Sequence, residues 1–296
     1  MYELIPVSAR SYYMDCPAKV GFCEVGDGQA VLIDSGSDKD AAKKVKKILE
    51  EKSWKLKAIY ITHSHADHIG GCAYLQEQTG CRIFAPAMEA AAACHPMFEP
   101  IALYGGNAMK DMQNKFLLAK PSAAEPLTAA VLPEGWEIVD LPGHSYEMVG
   151  YRTEENVVFL GDALAGEQTL EKYKISFLYD VAAYLETLEK VRDMKAACFV
   201  PSHAEPAAEI AALAERNIAQ TKAVAETILS LLAEPMPFET LLAAVFRRYE
   251  LTMNLAQRML VGSTVKGYLT YWRNSGRLDY TFEDGLMKWF RCGQDI

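Results

Sequence analysis

Four potential metal ligands lie within six consecutive residues, and they constrain the fold more than any other feature of the sequence. In an extended stretch His63 and His65 project to the same side, so both imidazoles can hold one ion. A turn at Ala66 lets Asp67 and His68 face the position of a second metal ion. The spacing therefore predicts a paired metal site.

This histidine-rich segment connects a predicted strand to a predicted helix. The strand covers residues 58–61, and the helix covers residues 69–79 and ends at Gly80. Three later strands are also followed by a polar residue that can bind metal. These strands are predicted over residues 136–141, 157–160 and 197–200, and they are followed by His144, Asp162 and His203. We expect all seven polar side chains to meet in an α/β fold.

The remaining sequence also alternates strand-like and helix-like patterns. A charged surface helix is predicted over residues 37–52, with Ser37 or Asp38 as its N-cap. A second helix with 3.6-residue apolar periodicity follows Asp180, its predicted N-cap. Residues 85–133 have weaker patterns, and we interpret them as a long excursion over one face of the molecule.

A Pro235-Met-Pro237 break predicts a boundary between a catalytic domain, residues 1–234, and a small C-terminal domain, residues 235–296. The second domain is predicted to contain three helices and a hairpin closed by Glu-Asp-Gly, which is the order of a winged helix-turn-helix. The helices are predicted over residues 238–249, 254–260 and 263–274. This domain contains eight Lys and Arg residues and six Asp and Glu residues. The resulting excess of positive charge is too small to indicate nucleic-acid binding. Packing against the catalytic domain, or formation of a homodimer, is the preferred interpretation.

Several motifs resemble the metallo-β-lactamase superfamily, and in particular its glyoxalase II-like hydrolases. They are, in order, Thr62-His-Ser-His-Ala-Asp-His68, Pro142-Gly-His144-Ser, Gly161-Asp162 and Ser202-His203. The resemblance covers roughly residues 1–230. It implies an αββα sandwich with a metal site at one edge of its two sheets, followed here by the small C-terminal helical, winged-helix-like domain.

The resemblance also implies roles for individual residues. The first metal would be held by His63, His65 and His144, the second by Asp67, His68 and His203, and Asp162 would bridge them together with a water or hydroxide. The stretch Leu32-Ile33-Asp34-Ser-Gly36 matches the family's strand ending in Asp-Ser/Thr-Gly. This match implies that Asp34 braces a ligand loop and is not itself a ligand.

Two divalent metal ions are therefore the expected cofactors. Neutral imidazoles with carboxylates suit zinc best, but iron, manganese or nickel would fit the same donors. The ions would lower the pKa of a bridging water toward about 7 and polarise a carbonyl or phosphoryl oxygen of the substrate. Asp67 can orient the attacking hydroxide or take its proton, which makes it the predicted catalytic carboxylate.

The leading functional interpretation is hydrolysis of a small acyl compound, either a thioester of glyoxalase II type or an ester or lactone. The C-terminal segment has no clear match to the basic glutathione-binding pattern, which counts against a glutathione thioester. That segment resembles the appendage of lactamase-like endoribonucleases, so hydrolysis of RNA phosphodiesters is the first alternative. A mononuclear iron persulfide dioxygenase is the second, and a regulatory protein whose winged helix contacts DNA is the third.

The composition favours a small-molecule substrate as partner. A formal net charge of −9 counts against nucleic acid, and no apolar run approaches the roughly 20 residues of a membrane helix. Without an export signal or a C-x-x-C pair among seven cysteines, reduced thiols and a cytoplasmic location are expected. Tyr104, Asn107, Tyr173 and Tyr179 are candidate pocket residues with no assigned substrate contact, and His95 is interpreted as incidental.

Overall fold

The computed structural model describes residues 2–293, and its largest sheet has seven strands. These strands are β1 (Leu4–Pro6), β2 (Ser11–Met14), β3 (Val20–Glu24), β4 (Gln29–Ile33), β5 (Lys55–Tyr60), β6 (Arg82–Ala85) and β7 (Ala124–Pro126). They lie side by side in chain order. The pairs from β1 to β4 are antiparallel, and the pairs from β4 to β7 are parallel. Parallel neighbours require crossover connections, and helices supply them here.

The second sheet has four strands in the order β11-β10-β9-β8. They are β8 (Glu137–Asp140), β9 (Val149–Arg152), β10 (Val157–Gly161) and β11 (Cys198–Pro201). The pairs β8–β9 and β9–β10 are antiparallel, whereas β10 and β11 are parallel. The carboxyl ends of β10 and β11 therefore lie at the same edge of this sheet.

The helices that accompany these strands include the three predicted over residues 37–52, over residues 69–79 and after Asp180. They are α1 (Lys39–Glu51), α2 (Ala66–Ile69), α3 (Cys72–Thr79), α4 (Ala87–Cys94), α5 (Phe98–Tyr104), α6 (Glu167–Tyr173), α7 (Val181–Asp193) and α8 (Ala211–Leu231). Asp38 is confirmed as the N-cap of α1 and Asp180 as that of α7, because each side chain accepts backbone N–H groups of the first turn. The excursion predicted over residues 85–133 contains α4, α5 and two single 3₁₀ turns.

Alternating side chains of the central strands divide the core into layers. On β4, Val31 and Ile33 belong to the cluster between the two sheets, together with Phe159 of β10. Leu32 points the other way and packs with Val45 of α1. The outer face of the second sheet is covered by α7 and α8. Helix, sheet, sheet and helix thus follow one another, which confirms the αββα fold class.

The C-terminal segment differs from its predicted form in the number of its helices and in the size of its sheet. It contains α9 (Phe238–Arg248), α10 (Leu255–Asn274) and a small sheet, β12-β14-β13, built from Met236–Pro237, Leu286–Arg291 and Leu278–Glu283. The hairpin is confirmed. The two separate helices predicted over residues 254–260 and 263–274 are wrong, because α10 is continuous through Gly262.

Among the described residues, no helix combines the length and apolarity needed to cross a membrane.

The C-terminal segment packs against the same layer as α7 and α8. One cluster of buried side chains includes Leu229 of α8, Val245 of α9 and Val265 of α10. The indole N–H of Trp272 donates a 2.7 Å hydrogen bond to the Ala225 carbonyl. The segment therefore shares a core with the rest of the chain, and the predicted boundary at residues 234 and 235 stays a prediction.

Candidate metal centre

Seven side chains meet beyond the carboxyl ends of β5, β8, β10 and β11, and they are the seven predicted ligands. Three groups of possible donors form, namely His63, His65 and His144; His63, His68 and Asp162; and Asp67, His68 and His203. Within each group the donor atoms all lie within 4.8 Å of one another. The first and third groups coincide with the two ligand sets that the family resemblance implies.

Tight backbone packing holds the histidine-rich segment in place. His65 is the N-cap residue of α2, and the carbonyl of His68 accepts the backbone N–H and the hydroxyl of Ser35, both at 2.8 Å. Gly70 follows α2 directly, and a Cβ atom there would lie 2.2 Å from the carbonyl oxygen of Ser37. Only glycine fits at this position without moving the backbone.

Two histidines are oriented by backbone carbonyls. Nδ1 of His144 lies 2.9 Å from the Phe177 carbonyl, and Nδ1 of His203 lies 2.7 Å from the Pro17 carbonyl. A carbonyl only accepts, so each Nδ1 carries a proton and each Nε2 faces the donor cluster. Nε2 of His144 lies 2.9 Å from Nδ1 of His65, within the first donor group.

Asp34 connects two further histidines. It is buried, with a left-handed backbone at φ 61°, and one of its carboxylate oxygens accepts the backbone N–H of Thr62 at 2.8 Å. The other oxygen accepts the Thr62 hydroxyl and Nδ1 of His68, both at 2.8 Å. The Thr62 oxygen in turn lies 3.0 Å from Nδ1 of His63. Asp34 is thus where a bracing residue is expected, and it is not in any of the donor groups.

Buried atoms without a hydrogen-bond partner concentrate in this cluster. Among residues 2–293 they include Nε2 of His63, His65 and His68 and Oδ1 of Asp162. Nε2 of His68 and Oδ1 of Asp162 lie 3.2 Å apart without hydrogen-bond geometry, whereas Nε2 of His63 and of His65 have no hydrogen-bond partner in the described part of the chain. Buried polar atoms are almost always paired, so such a group of atoms requires an explanation. Imidazole nitrogens and a carboxylate oxygen are common ligands of divalent metals. The donor set therefore fits metal ions.

The charges in the cluster shift pKa values in opposite directions. Burial, followed by the nearby His144, lowers the pKa of His65 to about 3. Burial also opposes the charged form of His203, but Asp162 and Asp67 outweigh it and raise the pKa of His203 to about 10. For Asp162 burial is outweighed by His203 and His68, and its pKa lies well below the usual range. Imidazole–carboxylate pairs that share protons in this way exchange them for a metal ion when one binds.

Glu89 of α4 is a buried residue of this region that the sequence did not indicate. One of its carboxylate oxygens accepts the backbone N–H of Ser64 at 2.8 Å and the Ser64 hydroxyl at 2.6 Å. The other accepts the Ser145 hydroxyl, together with the backbone N–H of Glu147 at 3.3 Å. Ser64 lies between His63 and His65, and Ser145 follows His144. Glu89 therefore joins the two loops that carry the first donor group.

A cavity of about 430 Å³ opens onto the donor cluster, which is a typical size for a small-molecule site. Of the four candidate pocket residues, Tyr173 lines this cavity, and Tyr104, Asn107 and Tyr179 are not among its lining residues. Tyr179 instead stacks on the exposed Tyr146. His95 is exposed and lies apart from the donor groups, in contact with the ring of Phe98.

The curated proteins to which the chain is similar carry the name hydroxyacylglutathione hydrolase. The hydroxyacylglutathione hydrolase of Methylobacillus flagellatus is 29% identical over 139 residues, which are 47% of this chain and 44% of that protein. The hydroxyacylglutathione hydrolase of Pseudomonas aeruginosa is 32% identical over 113 residues, which are 38% of this chain and 34% of that protein. For GloC of Haemophilus influenzae the identity is 26% over 183 residues, covering 55% and 71%. The match spans less than half the length of the first two relatives.

Solved structures resemble the chain over nearly its whole length. A beta-lactamase domain protein from Burkholderia ambifaria has a TM-score of 0.72 at 20% identity, covering 98% of this chain and 94% of that one. A metallo-beta-lactamase family protein from Thermus thermophilus has a TM-score of 0.69 at 20% identity, covering 98% and 97%. The family model for the metallo-beta-lactamase superfamily matches residues 15–203, which include all seven candidate ligands. The chain belongs to the metallo-beta-lactamase superfamily.

Proposed function

We propose that this chain is a metal-dependent hydrolase of a small acyl compound, either a thioester or an ester or lactone. The observation that carries the proposal is the cluster of seven donors, with its buried unpartnered atoms, at the inner end of a cavity of small-molecule size. The curated relatives, which are hydrolases of an acylated thiol by name, support the same reaction class.

The proposal assigns two divalent ions, with zinc as the preferred metal, to this cluster. One would be held by His63, His65 and His144 and the other by Asp67, His68 and His203, and Asp162 would contribute its carboxylate to the same cluster. Bound there, the ions would supply Lewis acidity, which lowers the pKa of water and polarises a carbonyl oxygen. The protein contributes fixed donor directions, because the opposite nitrogen of each of four histidines is held by the chain itself.

Asp67 is the proposed catalytic carboxylate. Its side chain is 42% exposed, whereas that of the neighbouring His68 is fully buried, so Asp67 can reach a molecule in the cavity. Its Oδ2 atom lies 3.3 Å from Nε2 of His203. A carboxylate in this position can orient an attacking water and accept its proton.

The test is metal analysis of protein purified without added metal, alongside a hydrolysis panel of a thioester, a lactone, a phosphodiester and RNA. Two equivalents of metal with turnover of an acyl substrate are expected. Cleavage of RNA alone would favour the endoribonuclease alternative, and one iron with oxygen uptake on a persulfide would favour the dioxygenase. No bound metal after reconstitution would overturn the proposal.

Substitution of the second donor group makes the test specific. Asp67→Ala and His203→Ala are expected to lower metal content from two equivalents to one, and turnover by at least about 100-fold. His95→Ala is the matched control, because His95 is the one histidine outside the donor groups. Unchanged turnover in metal-replete Asp67→Ala protein would rule out the catalytic role of Asp67.

A further inference from the structure

The wall of the cavity is mostly apolar where it lies beyond the donor cluster. Leu164 and Ile175 line it from the segments that flank α6, and Phe177 lines it beside the histidines. The Phe177 ring lies 5.4 Å from that of His65 and 5.9 Å from that of His144. A group attached to the reacting carbonyl would therefore contact apolar side chains directly beyond the donor cluster.

Helix α10 completes this wall. Gln257, Leu260, Val261 and Thr264 all line the cavity, and their spacing of three and four residues places them on one face of the helix. The Thr264 hydroxyl accepts the backbone N–H of Leu178 at 3.2 Å. Because Leu178 directly follows Phe177, the position of α10 is tied to the aromatic ring that contacts the histidines.

Positive charge is scarce in the cavity. Among its lining residues the one Lys or Arg is Lys115, whose Nζ lies 3.1 Å from a carboxylate oxygen of Asp38. An anionic substrate would thus find, among these lining residues, no Lys or Arg that is not already paired with a carboxylate.

We propose that the substrate has an apolar acyl chain and an uncharged leaving group, and that Leu260 and Val261 of α10 contact the acyl chain. This inference rests on the proposed function and names the substrate class of the same site. Apolar surface removed from water accounts for the selection of the chain, and the lack of an unpaired Lys or Arg in the lining accounts for the discrimination against glutathione or phosphate groups.

The experiment compares two series of thioesters with acyl chains of two to ten carbons. One series carries N-acetylcysteamine as an uncharged leaving group, and the other carries glutathione. For the metal-loaded protein, kcat/KM is expected to rise about fourfold per added methylene until the cavity is filled. At equal chain length the uncharged thioester is expected to be preferred by about tenfold.

Leu260→Gln keeps the size of the side chain but makes it polar. In this variant kcat/KM is expected to rise less than twofold per added methylene. Met253→Gln is the matched control, because Met253 is exposed just before α10 and does not line the cavity. A flat dependence on chain length, or a preference for the glutathione series, would overturn the inference while leaving the proposed function intact.

If no acyl compound is hydrolysed, a binding measurement tests the apolar site independently of the proposed hydrolase function. Calorimetric titration with uncharged methyl ketones of increasing alkyl length measures the cavity without requiring turnover. Affinity that rises with chain length and is lost in Leu260→Gln would support the apolar site even though the proposed function had failed. Affinity that is independent of chain length would overturn the inference.

Discussion

The candidate ligands depend on residues that never face a substrate. Thr62 and Asp34 hold His63 and His68, and backbone carbonyls hold His144 and His203. Such partners fix the tautomer and the ring direction of a metal-binding histidine. The geometry of the site is therefore set before any ion binds.

Glu89 is the support that is most open to test. Glu89→Gln removes the charge and one acceptor while keeping the shape, so the loops of His65 and His144 lose a common anchor. We expect zinc affinity to fall by about 10- to 100-fold, measured by competition with a chromophoric chelator. Glu77→Gln, at an exposed position on α3, is the control. Equal zinc affinity in both variants would show that Glu89 does not support the site.

The ligands could be predicted from sequence, whereas Glu89 could not. Four donors within six residues, and three more just after predicted strands, are a local signal that needs no knowledge of the tertiary structure. Glu89 lies 25 residues from Ser64 and 56 from Ser145. Its own surroundings, in an alanine-rich helix, resemble those of an ordinary surface glutamate, so only the fold reveals its partners.

At the scale of elements, the four strands that precede the donors and the N-caps of α1 and α7 agree with their predicted positions, but α10 does not. Glycine disfavours a helix interior by about 1 kcal/mol relative to alanine, and Gly262 lies between the two helices predicted over residues 254–260 and 263–274. In the structure Val261 and Val265 are buried on either side of it, next to Leu242 of α9. Packing of this face outweighs the local preference of one residue.

Two glycines of α10 are expected to respond oppositely to alanine. A Cβ at Gly262 would meet Leu242 at an ordinary 3.5 Å, so Gly262→Ala should raise the free energy of unfolding by about 1 kcal/mol. A Cβ at Gly267 would lie 2.9 Å from the carbonyl oxygen of Tyr179, so Gly267→Ala should lower it. Urea titrations of both variants provide the measurement. Stabilisation by Gly267→Ala would contradict the observed packing of α10.

For the molecule as a whole, the shared core predicts a single unfolding transition. Side chains of α8, α9 and α10 pack in one cluster, so the C-terminal segment should not unfold separately. A Trp54→Phe, Trp136→Phe variant keeps only Trp272 and Trp289 as fluorophores, both within the C-terminal segment. Its fluorescence and its far-UV circular dichroism should change at the same temperature. Two separate midpoints would instead favour an independent domain of residues 235–296.

The thiols report on the packing around the seven-stranded sheet. Burial raises the pKa of Cys16 to about 11 and those of Cys23 and Cys72 to about 12, so these thiols remain protonated and unreactive at pH 8. Cys81 is also buried. A disulfide reagent should therefore modify at most three of the seven thiols before denaturant is added, and all seven afterwards. Rapid reaction of a fourth thiol in the native protein would contradict the structure.

The participation of α10 in the cavity wall has a consequence for the order in which function arises during synthesis. All seven candidate ligands have been translated once His203 is added, but Leu260 and Val261 follow more than fifty residues later. A ribosome-bound chain of intermediate length thus carries every metal donor while one side of its substrate cavity does not yet exist. Under the two proposals, the capacity to bind metal would therefore arise before the capacity to select a substrate, because the donors precede α10 in the chain.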